Sequence, residues 1–275
     1  MALILGIGGC IVFQHAKPFL IGDGCQASVA GQVVQLDSEQ AAIAATIAGV
    51  GYHRRLPPAA VTVAYATALQ ESHMHNVAYG DRDSVGIFQQ RPSQGWGTPS
   101  QLMDPVYAST KFFAALVKVP GYLNMPIYRA AQAVQHSADG TAYGQYEQVA
   151  SMLSAAFTGN ASRAVSCWYT PYAKQQPKFA PAMSQLSRTF GQLTGDGATV
   201  DAAGAPAATE TAARGMTVRV PALQAGWAVA TWAVAHAKTY RLGQVRYAGY
   251  EWLASSGEHG WKLAQGAPVT AVQLS

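Results

Sequence analysis

Glu71 is the residue whose type and setting best suit bond-breaking chemistry. It closes the run AYATALQES, and the polar stretch NVAYGDRDSVGIFQQRPSQGWG begins four residues after that run ends. The apolar spacing of residues 58–72 predicts a helix, so Glu71 falls at its C-terminal end, where the helix dipole disfavours negative charge. Leu69, Met74 and Phe88 make the expected surroundings partly apolar. Both effects favour the protonated carboxyl, the form that a general acid needs. Delivering that proton to the bridge oxygen of a glycosidic bond is the natural use of such a group.

Asp81 and Asp83 are the acids nearest in sequence. Either would supply a second carboxylate, as a base for water at about 6.5–9.5 Å from the acid or as a closer nucleophile. Asp81-Arg82-Asp83 reads equally well as a turn held by side-chain bonds and a local ion pair. Trp96 is either a stacking face for a sugar ring or a core side chain. His73 and His75 are two apart and would point to different faces of a helix, and no Cys lies near them, so no metal is expected. No glycine-rich phosphate loop follows a strand, and no cofactor is expected.

The elements that must carry these residues are mostly helical. Asp37 or Ser38 reads as an N-cap, and Ile43, Ile47 and Val50 follow on one helical face until Gly51, Arg54, Arg55 and Pro57 end the run. Pro58, favoured in a first turn, starts the helix that ends near Ser72. Residues 76–97 lack a helical period and predict a loop or short β-hairpin. Further helices are expected over 105–119, 126–137 and 143–157.

Residues 191–215, GQLTGDGATVDAAGAPAATETAARG, are too poor in large apolar groups to build a core and read as a linker. Beyond them, 216–275 predicts a small α+β accessory domain: strand TVRV, a helix from Ala222 to about Tyr240, a hairpin turning at Ala248-Gly249, and a last strand in PVTAVQL. It holds four of the six tryptophans, which suit either a small core or a binding surface.

The chain has 275 residues, 12% charged and 49% hydrophobic, with a net charge of +4 and no basic cluster of the kind nucleic acid requires. Residues 1–24 begin with a 13-residue apolar run, MALILGIGGCIVF, that resembles an export leader or membrane anchor and is short for a bilayer span. With Cys10 in that leader, Cys25 and Cys167 remain as a pair, and their disulfide fits an extracytoplasmic protein, secreted or tethered by its N-terminus. Residues 25–190 then form the first domain.

Within it, Glu71-Ser72 at a helix end is followed by Ser84-Val85-Gly86-Ile87-Phe88-Gln89 and Pro92. This order resembles the goose-type lysozyme and soluble lytic transglycosylase family, in which Glu-Ser precedes a Gly-Leu-Met-Gln-like motif. Asp104-Pro105 resembles the start of the family's next helix, and Ala130 to Ser137 stands where the family has Ala-Tyr-Asn-Ala-Gly. There the chain carries Val134, Gln135 and Ser137 in place of Tyr, Asn and Gly. Longer stretches, YGDRDS and QQRPSQGWGT, resemble exported or membrane-anchored actinobacterial proteins.

The resemblance implies a mainly α lysozyme-like domain with a short β-hairpin at the active site, beside the small α/β C-terminal domain. It implies Glu71 as general acid/base, with Ser72, Gly86, Gln89, Trp96 and Gln135 lining a glycan cleft and Tyr143 or Tyr146 touching the catalytic carboxyl. The expected substrate is the glycan strand of peptidoglycan, cleaved by lytic transglycosylation or hydrolysis. A non-catalytic envelope module that uses the same cleft to bind glycan or a protein stays open beside it. The C-terminal domain is expected to meet a wall component or cell-envelope protein partner, and the N-terminal apolar segment to contact the membrane.

Overall fold

In the computed structural model, the described residues are 22–136, 141–170, 176–191, 193 and 215–275. The leader, Ser137 of the third motif and nearly all of the linker lie outside them. About half the chain is helical, and two small antiparallel sheets make it a mixed α/β fold. No helix among the described residues is long and apolar enough to cross a membrane.

The first sheet contains β1 (Gly24–Val29), β2 (Gln32–Leu36) and β3 (Val165–Trp168), in the order β2-β1-β3. The mainly α expectation had no strand in these stretches. Cys25 and Ala27 alternate inward on β1, and Cys25 lies opposite Cys167 in register, joined to it by a disulfide.

Around this sheet pack α1 (Ser38–His53), α2 (Pro58–Ser72), α3 (Pro99–Leu102), α4 (Pro105–Leu116), α5 (Ile127–Gln135), α6 (Thr141–Gly144) and α7 (Glu147–Phe157). Asp37 caps α1 in a reciprocal box with Gln40, and Pro58 opens α2. Both helices are alanine-rich and buried nearly all round, which lets α2 lie close to α1, α5 and α7 at the centre of the core. The final helix of this part, α8 (Phe179–Phe190), has buried Ala182, Leu186, Thr189 and Phe190 on one face.

The expected hairpin over 76–97 is reduced to one bridge, Val85 to Gln90. Gly86 (φ 78°) and Gln89 (φ 46°) turn the chain too tightly between them for a ladder to extend. Side chains take up several of this loop's polar groups instead.

The C-terminal unit has β4 (Met216–Arg219), α9 (Leu223–Ala235), α10 (Ala237–Tyr240), β5 (Gln244–Tyr247), β6 (Tyr250–Leu253), β7 (Lys262–Leu263) and β8 (Ala271–Leu274). Its sheet runs β4-β8-β5-β6-β7. Ala248 and Gly249, both at positive φ, form the tight turn between β5 and β6.

This unit is not held by a linker alone. Helix α9 packs on α1 and β3, and one hydrophobic core runs through both parts. The free edge of β3 is covered: Trp252 Nε1 donates to the Cys167 carbonyl (3.1 Å), Trp261 Nε1 to the Val165 carbonyl (2.8 Å), and Ser166 Oγ to the Gly257 carbonyl. A Cβ on Gly257 would lie 1.8 Å from the Cys167 oxygen, so only glycine permits this approach. Trp227, Trp232 and Trp252 are buried and Trp261 packs against the core, so the tryptophans serve the seam.

Candidate active site

Glu71 stands in the last turn of α2, half-buried, one residue before the helix ends. Tyr143, buried on α6, donates its hydroxyl to Glu71 Oε1 at 2.7 Å. No described residue bonds Oε2. Gln145, two residues after Tyr143, donates from Nε2 to Oε1 of Gln70, the residue before Glu71 (3.1 Å). Tyr146 instead packs half-buried against the core, so Tyr143 is the tyrosine that reaches the acid.

The exit of α2 is unusual. His73 (φ 51°) and Met74 (φ 61°) are both left-handed, a conformation costly for residues with a Cβ. Met74 is fully buried there, which anchors the turn. Three side chains of α1's first turn hold the strand that follows: Gln40 Nε2 donates to the His73 carbonyl (2.9 Å), Asp37 Oδ2 meets His75 Nε2 (2.8 Å), and Glu39 Oε1 accepts the Asn76 N–H (2.9 Å).

Several residues expected to line the cleft hold its loop instead. Ser72 Oγ lies 2.8 Å from the Ile87 carbonyl, to which it donates, and accepts the His75 N–H. Gln135 Nε2 donates to the Phe88 carbonyl (2.7 Å). Gln89 Nε2 turns back to the Gly86 carbonyl, and its Oε1 would lie 1.8 Å from a Cβ on Gly80. A Cβ on Gly86 would meet the Leu102 carbonyl at 2.4 Å, so this glycine serves packing against the end of α3. Trp96 is half-buried against the core and accepts a bond from the Tyr107 hydroxyl at its carbonyl (3.3 Å).

The other acids are committed. Asp83 accepts the Ser93 N–H (2.7 Å), Arg91 Nε (3.0 Å) and Ser93 Oγ (3.0 Å). The Ser93 amide first, then Arg91, push its carboxyl down to about 2, which makes it a poor base. Asp81 is exposed and pairs loosely with its neighbour Arg82. The turn reading therefore describes Asp81 and Asp83 better than the catalytic one.

Chemically, the arrangement offers one carboxyl with one oxygen fixed by Tyr143 and the other bonded by no described residue. The residues that the sequence reading missed are Glu39, Gln40, His75 and Asn76. The Asp37-Ser-Glu-Gln40 box was their one visible signal, but its long-range use is a tertiary property. The chain matches no protein-family model and no curated protein.

Proposed function

We propose that this chain cleaves the glycan strand of peptidoglycan, on a lysozyme-like fold, with Glu71 as its single general acid/base. The observation that carries this is the asymmetry of the Glu71 carboxyl: Tyr143 fixes Oε1, and no described residue engages Oε2. Glu71 Oε2 gives its proton to the bridging oxygen as the C1–O bond breaks, leaving positive charge on the sugar ring. Asp83 is locked in its turn and does not stand ready to activate water. The sugar's own hydroxyl then attacks C1, its proton returns to Glu71, and an anhydro ring closes. The Gln70–Gln145 amides offer hydrogen bonds to the acetamido groups of such a glycan. The buried disulfide between Cys25 and Cys167 supports action outside the cytoplasmic membrane.

One observation favours a second reading, that of a binding module. Ser72, Gln89 and Gln135 spend their side chains on the loop rather than leaving them for sugar. In that case the cleft, or the surface of 216–275, binds glycan or an envelope protein without turnover. Incubating the protein and its Glu71→Gln variant with peptidoglycan, and weighing the released muropeptides, decides between them. Anhydro products from the wild type alone are expected. Reducing ends would mean hydrolysis, and silence from both proteins would leave only binding.

A further inference from the structure

The turn that follows Glu71 is held from outside its own segment. Its two left-handed residues, His73 and Met74, set the direction in which α2 ends, and so the placement of the carboxyl two residues earlier. Such backbone persists only where the surroundings over-determine it. Those surroundings are the first turn of α1, which bonds His73, His75 and Asn76 through Gln40, Asp37 and Glu39. Asp37 does two jobs, since Oδ1 caps α1 while Oδ2 meets His75.

We propose that the first turn of α1 is a positioning clamp for Glu71, and that the Asp37–His75 pair is its proton-sensitive member. The inference rests on Glu71 being the general acid/base. Asp37 and Glu39, both on α1, are the charged groups that act on His75, and from its own segment only the Ser72 backbone adds to them. Partial burial opposes charging of the imidazole. The Asp37 hydrogen bond and the charges of Asp37 and Glu39 outweigh it and hold the His75 pKa above its ordinary value. Asp37 is correspondingly held below its own, against the burial that would raise it, by the Gln40 amide and then by His75. The pair is therefore ionic below the unfolded histidine pKa of about 6.5 and weakens to a bond between carboxylate and neutral imidazole as pH rises through the raised value. The clamp is tightest on the acid side.

Asp37→Asn tests this without removing the helix cap, because asparagine caps as well as aspartate. The first measurement is amide exchange of residues 71–77 by mass spectrometry, corrected for intrinsic rates. In the wild type, exchange should rise about threefold or more between about pH 6 and about pH 8.5. Asp37→Asn and His75→Phe should show the raised rate at both. Wild-type exchange that ignores pH and is unchanged in both variants would overturn the clamp. The second measurement is muropeptide release. Asp37→Asn should lower the maximal rate about tenfold on the acid side, leave half-saturation within about twofold, and converge with the wild type at higher pH. His75→Gln, which keeps a donor, should recover most of the rate with a flattened pH profile. An active wild type matched by Asp37→Asn in rate and profile rejects the clamp. An inactive wild type whose exchange still responds rejects the enzymatic role of Glu71 and leaves the clamp standing.

Discussion

At the free edge of β3, outward-facing polar groups find partners from the C-terminal unit. The carbonyls of Val165 and Cys167 each take an indole N–H, the Ser166 hydroxyl reaches Gly257, and Tyr169 donates to the Val234 carbonyl. At the exit of α2, by contrast, the polar groups form a scaffold around one carboxyl and leave one of its oxygens open. The first arrangement makes the fold resistant to loosening. The second fixes a reactive group without consuming it. Damage at the seam should appear as lost stability, and damage at the α2 exit as lost function in a protein that still folds.

The largest effect is expected on the other side of β3, where the disulfide ties it to β1. Cys25 and Cys167 are 142 residues apart, and the loop-entropy relation values such a closure at roughly 5 kcal/mol. A Cys25→Ala/Cys167→Ala variant should show that order of loss in denaturant unfolding. A loss below about 1 kcal/mol would mean that the β1–β3 ladder and the cover from Trp252 and Trp261 hold β3 in place without the crosslink.

Next in size is His236, buried at the end of α9 with its ring stacked on Trp232 and near Tyr240. Burial pushes its pKa down to about 4, against the bond to the Trp232 carbonyl, which raises it. A histidine depressed on folding gives stability that is complete above its unfolded value of about 6.5 and lost as pH falls toward the folded value. The difference amounts to about 3 kcal/mol between those limits. The wild type should therefore lose more stability than His236→Phe when urea unfolding is compared at about pH 7 and about pH 4. Equal losses would place the acid sensitivity elsewhere.

The contrast between the two regions also explains what was legible in the sequence. Helix ends at Asp37, Pro58 and Pro105 follow from local chemistry, and so does the turn at Ala248-Gly249. Pairing of Cys25 with Cys167 was readable once Cys10 was assigned to the leader. Strands β1, β2 and β3 were not, because GCQASV, QVVQL and VSCW are short, and β1 and β3 find each other only across about half of the chain. Helix α8 did carry a readable pattern, with Ala182, Leu186 and Phe190 at four-residue steps, but Pro177 and Pro181 obscure its start. At the site, the type and placement of Glu71 were visible. The duties of Ser72, Gln89 and Gln135 were not, because their partners are backbone carbonyls and no side-chain pattern encodes a carbonyl. The treatment of 216–275 as a separate domain followed from linker composition, which says nothing of what a unit packs against.

A smaller effect is expected at the open end of α2. Tyr143→Phe removes the one hydroxyl that fixes Glu71 and keeps the ring in its buried place. One such bond is worth about 0.5–1.5 kcal/mol net, so peptidoglycan cleavage should fall roughly two- to tenfold. The melting temperature should move by only a few degrees. Unchanged cleavage would show that Glu71 needs no partner at Oε1 and would weaken the division drawn between the two regions.

The smallest effect is the most discriminating for mechanism. Asp83 and Glu71 are both carboxylates near the same loop, but Asp83 is tied to Ser93 and Arg91, with its pKa held at about 2. If it only shapes the turn, Asp83→Asn keeps an acceptor for the Ser93 amide and loses the pairing with Arg91. A pair so open to solvent contributes little, so cleavage should stay within about threefold of the wild type. Anhydro products should persist in the same proportion. A catalytic base for water would behave otherwise, because its loss typically costs 10²–10⁴-fold. A fall of that size, with the fold intact by circular dichroism, would move Asp83 from the scaffold into the chemistry and convert the single-acid mechanism into a two-carboxylate hydrolysis.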